Sequence, residues 1–174
     1  MRAPTWINQG QLQESTDELQ HLERTPDYMI STWRSVMFLA WRGRETAEGI
    51  LRSRSLMEPW AARKQGGVVL VILMPPSSNL KQPPNEDARK AMVDASQDTS
   101  QAFKGIAIIS DEAGFIGSMI RSVMTARQIF ARTPVPFKMF TSAAEAASWI
   151  SQRLELRTDM QLAFSAAADK AIWK

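Results

Sequence analysis

The chain reads as an α/β protein built on a mainly parallel sheet. Residues 68–74, Val-Val-Leu-Val-Ile-Leu-Met, are apolar without alternation and lie between Gly66-Gly67 and Pro75-Pro76. Strands covered on both faces have this texture. Shorter apolar runs follow at 106–109 and 137–140, separated by segments whose apolar residues recur with helical spacing. Such alternation gives parallel strands joined by covering helices through right-handed crossovers.

Composition narrows the function. The 174 residues suit one domain, able to bury roughly two-thirds of its unfolded surface without a disulfide or metal staple. With no cysteine, disulfides, thiolate zinc sites, iron–sulfur clusters and thiol nucleophiles are excluded. The single histidine, His21, rules out a His-rich metal site and argues against a Ser-His-Asp triad. Set in a polar stretch, it reads as a surface residue. No cofactor or metal is expected.

The first residues lead into a polar stretch rather than a signal peptide, and the longest apolar run is about half of what a bilayer needs. A soluble, cytoplasmic protein is the expectation. The net charge of +3 is unevenly spread. Residues 1–31 hold Arg2 and Arg24 against Glu14, Asp17, Glu18, Glu23 and Asp27, a net of −3 that leaves +6 for the remainder. That balance, without a matching motif, does not indicate nucleic-acid binding.

Residues 1–25 are acidic with sparse leucines, too few to offset the entropy of ordering, and are expected to be a mobile arm dispensable for folding. The domain proper is placed at 26–156. Aromatic and branched residues at 28–33 and 36–41 mark two strands, either a hairpin or one long bent strand. Thr46, Ile50, Ser53 and Met57 share one face of a helix over 45–63, which Gly66-Gly67 stops.

Residues 75–84 hold four prolines and form a long loop. Asn85 then caps a helix to about residue 103, with Glu86 and Asp87 in its first turn and Gly105 closing it. A strand at 106–109, a turn at 110–114, a helix at 115–132 and a strand at 137–140 follow. A helix at 143–156, capped by Thr141 or Ser142 and anchored by Ala146, Trp149 and Ile150, completes the alternation. Residues 157–174 are read as a helical extension whose buried stripe is Met160, Ala163, Phe164, Ala167 and Ala171.

The turn from Ser110 to Ser118 joins a buried strand to a helix, where open α/β sheets place binding crevices. Its residues Ser110, Asp111, Glu112, Gly114 and Ser118, with Arg121 beyond, are the candidate partner-binding surface. Gly114 and Gly117 make neither a P-loop nor a dinucleotide fingerprint, and Asp111 and Glu112 would repel a phosphate. The competing structural reading has these carboxylates capping the helix, as for Glu86 and Asp87.

A second candidate is the basic cluster Arg42, Arg44, Arg52, Arg54, Arg63 and Lys64, interleaved with Glu45, Glu48 and Glu58. It reads as a solvated helix face, or as a dock for an acidic segment or anionic lipid, the chain's own acidic arm among the occupants. Of six tryptophans, Trp33, Trp41, Trp60 and Trp149 fall in core positions. Trp6 and Trp173 stand at the termini, where they suit contacts with a partner or with a second copy in a homodimer.

Phe137-Lys138-Met139-Phe140-Thr141-Ser142-Ala143-Ala144-Glu145-Ala146-Ala147-Ser148-Trp149-Ile150 resembles the close of the SpoIIAA-like branch of STAS domains. That branch ends in a strand and a capped helix carrying Glu-Ala-x-x-Trp-Leu, matched here from Glu145 to Ile150. The resemblance covers about residues 28–155. It implies a STAS-like mixed, mainly parallel sheet of four or five strands, with helices packed largely on one face and an extra C-terminal helix. Anti-sigma-antagonist members are phosphorylated within Asp-Ser-Ser-Gly at the turn after the third strand. The corresponding turn here is Asp111-Glu112-Ala113-Gly114, so the switchable serine is absent. Related branches look like lipid-transfer CRAL-TRIO domains, which implies a hydrophobic ligand as an alternative.

The sequence therefore points first to a non-enzymatic regulatory module that binds another protein. The alternative is a binder of a small apolar ligand, lipid or membrane surface, using the Met-rich helix at 115–132 and the basic cluster, with ten methionines in the chain to make adaptable apolar surface. An enzyme is the weakest reading, with no recognised nucleophile, metal or phosphate motif.

Overall fold

The apolar runs become the middle of a six-stranded sheet with strand order β1-β2-β3-β4-β5-β6. The computed structural model describes residues 18–43, 45–74, 84–97, 103–110, 135–155 and 160–171. The strands are β1 (Gln20–Arg24), β2 (Tyr28–Trp33), β3 (Val36–Trp41), β4 (Val68–Leu73), β5 (Phe103–Ile109) and β6 (Phe137–Phe140). β1, β2 and β3 pair antiparallel, and β3 through β6 pair parallel in chain order. The class is α/β, as the sequence predicts, with six strands where four or five were expected.

The two aromatic segments form a hairpin rather than one bent strand, with Tyr28 opposite Trp41 and Trp33 opposite Val36. The tight turn needs a left-handed residue, and Arg34 supplies it at φ 53°. Its guanidinium lies 5.5 Å over the Trp33 ring.

Helices α1 (Ala47–Ala62), α2 (Glu86–Gln97), α3 (Ala143–Leu154) and α4 (Met160–Ala171) cover both faces, two on each. The expectation of helices on one face is corrected here, and the reason lies in the strands. In β4, Val68 and Leu70 pack toward Ile50, Met57 and Ala61 of α1 and Ala88 and Ala91 of α2. Val69, Val71 and Leu73 point the other way, to Ala146, Ala147 and Ile150 of α3 and Phe164, Ala167 and Ala168 of α4. A strand apolar on both faces needs cover on both.

α4 is consequently part of the core rather than an appended extension. Phe164 stacks on Phe38 of β3 at 5.7 Å and lies 6.4 Å from the Trp33 ring. The buried stripe is Phe164, Ala167, Ala168 and Ala171, whereas Ala163 faces solvent. Residues 20–24, assigned to the mobile arm, form edge strand β1, and Leu19 packs against the core. Residues 1–17, the proline loop at 75–83, the helix expected at 115–132 and both Trp6 and Trp173 lie outside the described residues.

The second helix is also shorter than expected. α2 is capped by Asn85, whose Oδ1 accepts from the Ala88 N–H at 2.9 Å, but it is assigned only to Gln97. Phe103 is already in β5, opposite Val68. Gly105 is therefore a strand residue rather than a helix stop, and packing explains it. The indole of Trp149 lies on it so closely that a Cβ there would come within 2.7 Å of the ring. Trp149 spans to Phe140 at 5.8 Å, and the Arg153 guanidinium covers its outer side at 5.2 Å.

This contact predicts a coupled mutant cycle. Gly105→Ala should cost about 1–3 kcal/mol by overpacking. Trp149→Ala should cost about 3 kcal/mol, the low end for an aromatic because the ring is only partly buried. In the Trp149→Ala background the Gly105→Ala penalty should vanish, as read by urea denaturation. Additive penalties would show that the indole does not rest on Gly105.

Candidate partner edge and basic face

Because α1 and α2 each return the chain from the end of one parallel strand to the start of the next, their N-termini sit where β3, β4 and β5 end. α3 begins at the same edge, directly after β6. The strand ends are laced together there. The Met74 N–H donates to the Ile109 carbonyl at 3.0 Å, and the Ser110 N–H to the Phe140 carbonyl at 3.1 Å. Ser110 is 3 % exposed, so it does not itself form a contact surface. The other predicted partner residues, Asp111, Glu112, Gly114, Ser118 and Arg121, lie outside the described residues.

Each helix start at this edge is capped by its own side chain. Thr46 Oγ1 accepts from the Gly49 N–H at 3.1 Å and Ser142 Oγ from the Glu145 N–H at 3.2 Å, beside the Asn85 cap of α2. Ser142, not Thr141, is the N-cap of α3. Thr141 instead donates its hydroxyl at 2.6 Å and its N–H at 3.0 Å to Glu145 Oε2. These bonds, the hydroxyl foremost, hold the Glu145 carboxyl below the usual carboxylate range. Glu48, Glu86, Asp87 and Glu145, all in first helical turns, leave their carboxylates exposed on one edge of the molecule.

Of the basic cluster, Arg52 and Arg54 are paired with carboxylates. Arg52 donates from Nε at 3.1 Å and Nη2 at 2.9 Å to Glu23 Oε1. Arg54 pairs with Glu58 at 2.7 Å, one turn on, and reaches the Asp94 carbonyl at 3.4 Å. Arg42 is exposed, its backbone N–H bonded to the Asp27 carbonyl at 2.8 Å, and Arg44 lies outside the described residues. Lys64 lies 5.0 Å over the Trp60 ring.

Sequence reasoning missed the group that these contacts create. Glu23, from the stretch read as an arm, accepts the Tyr28 phenol on Oε2 at 2.6 Å and Arg52 on Oε1. The Tyr28 ring packs 5.2 Å from Trp41. Burial first, and then the bond to the Glu23 carboxylate, push the phenol far above its ordinary pKa. His21 is exposed, with Nδ1 2.8 Å from the buried hydroxyl of Ser31. Among the described residues no group of three His, Asp or Glu side chains could hold a metal ion, and no helix is long and apolar enough to cross a membrane. Comparison with protein-family models, curated proteins and solved structures gives no match.

Tyr28 is the only tyrosine in the chain, so one absorbance titration reports it alone. A phenol whose folded pKa is raised contributes stability that is complete below its unfolded value of 10.0 and drains away as pH rises beyond it. Tyrosinate should therefore form only as the chain unfolds at alkaline pH. Tyr28→Phe should cost about 1–2 kcal/mol at pH 7 and flatten the loss of stability above pH 10. A native tyrosinate signal centred near pH 10 would show that Glu23 does not hold the phenol.

Proposed function

We propose that the chain is a non-enzymatic regulatory module of STAS-like fold. It binds another protein through the edge where β3 to β6 end, around residues 110–121, and that partner presents basic side chains. The observation that carries this reading is the convergence of three capped helix starts at one edge, with Glu48, Glu86, Asp87 and Glu145 exposed there. In the sequence, Asp111 and Glu112 come next after Ser110, which is buried at this edge.

Parallel strands in chain order and a Ser142-capped helix with Trp149 seated on β5 support the family likeness. The helices on both faces depart from it. Glu112 and Ala113 stand where the family's serines would be, so Glu112 supplies a permanent charge in place of a switchable phosphate. A glutamate carries about one charge against the −1.5 to −2 of a phosphoserine.

The apolar-ligand or membrane reading has less support. Met29, Met37 and Met57 are buried, and Met74, Met92 and Met139 pack against the core on the α1 and α2 side, while Met119 and Met124 of the expected helix at 115–132 lie outside the described residues. Arg52 and Arg54 are bonded to Glu23 and Glu58.

Glu112→Lys should weaken the protein partner's binding about tenfold or more, and Glu112→Ser several-fold. A tenfold loss corresponds to about 1.4 kcal/mol. Wild-type affinity should also fall as salt is raised. The check is a titration of each variant against the partner recovered from the source cells, with far-UV circular dichroism as folding control. Unchanged affinity in both variants would reduce Glu112 to a helix cap. A lipid retained in native mass spectrometry would favour the alternative.

A further inference from the structure

Strand β1 is bound to the sheet differently from its neighbours. Gln20, His21, Leu22 and Arg24 are exposed and Glu23 is half-buried, so the strand covers little apolar surface. One extra residue falls between the pairs His21–Ser31 and Glu23–Ile30, which interrupts its ladder at Leu22, itself 40 % exposed. The ties made by His21 and Glu23 are polar: His21 to Ser31 and Glu23 to Tyr28 in β2, and Glu23 to Arg52 in α1. Behind it, β2 is buried along its whole length. Few apolar contacts and an interrupted ladder give a strand a low free energy of local opening.

We propose that β1 exchanges between two copies of the chain: it leaves the edge of β2 as a unit, and β1 of a second copy takes its place. The second copy is the fitting occupant because it brings the same Glu23 to Tyr28 and Arg52, the same His21 to Ser31 and the same Leu19 to the core, remaking the contacts of β1 and giving up only the turn bonds at Thr25. The link is short. Only Thr25, Pro26 and Asp27 separate β1 from β2, folded back by bonds from the Tyr28 and Asp27 N–H groups to Thr25 Oγ1 at 3.0 and 3.2 Å. A residue before proline prefers extended backbone, so straightening the link is the natural alternative to the turn. Joining two copies by laying β1 against β1 is disfavoured. The bulge sends His21 to the α4-covered side, where Ser31 lies between Met29 and Trp33, and sends Glu23 to the α1 side, so the outer edge is not flat.

The absence of cysteine makes the test clean. Gln20 and Thr32 are register partners. The double variant Gln20→Cys/Thr32→Cys should oxidise within one chain, which confirms the closed pairing. The two single variants, mixed at high concentration and then oxidised, should yield a dimer whose mass-mapped link joins position 20 of one copy to position 32 of the other. Glu23→Gln should raise its rate of formation several-fold. His21→Cys and Ser31→Cys, an independent register pair, should behave in the same way if Thr32→Cys disturbs the core. If the double variants close but the mixed single variants give no such link over days, or give only links between like positions, the exchange is refuted.

Discussion

Burial of β3, β4 and β5 on both faces is the constraint on which the rest of this structure depends. A polar backbone can be withdrawn from water on two sides only if every strand group is paired laterally and every side chain on either face finds an apolar neighbour. Alternate residues of β4 therefore serve two cores, Val68 and Leu70 in one and Val69, Val71 and Leu73 in the other. The connections α1 and α2 cover the first core. The second must be covered by chain that follows the last strand, which is the work of α3 and α4. Phe164 over Phe38 is where the C-terminal helix closes that second core.

The same constraint makes the two sheet edges unlike the middle. β1 can afford exposed side chains because β2 already completes the apolar layer, and its bulge spoils the edge as a template for a further strand. β6 is four residues long and carries the exposed Lys138, whose ammonium lies 5.4 Å over the Phe140 ring. Both devices discourage pairing by addition. What they leave open at β1 is replacement, since an edge strand held by polar ties surrenders little apolar burial when it leaves.

Local chemistry was legible in the sequence wherever it acts within a few residues. The Asn85 cap, the face of α1 carrying Ile50, Ser53 and Met57, and the strands at 28–33 and 36–41 stand where composition places them. What was not legible depends on contacts remote in the chain. Gly105 looks like a helix stop until Trp149, far along the sequence, is seen to lie on it. Residues 20–24 have too little apolar content to announce a strand, because their ordering comes from the β2 ladder and from Arg52, which lies 29 residues beyond Glu23. The face each helix covers is likewise invisible to periodicity, which shows that a stripe is buried but not against what. Of the predicted partner surface the structure places Ser110 alone, and finds it buried.

The carboxylates at the strand-end edge have two physical roles that need not compete. Each lies in a first helical turn, where its charge offsets the positive end of the helix dipole. In α3 the Glu145 carboxylate is occupied by both Thr141 donors. In α1 and α2 the acids face solvent. Because each of these helices starts where a parallel strand ends, whichever face it then covers, charges chosen for local stability accumulate on one edge. Their summed field falls off over about 8 Å at physiological salt, short of the whole molecule but long enough to reach a docking surface. Any charged group brought to that edge meets the sum more than any one residue.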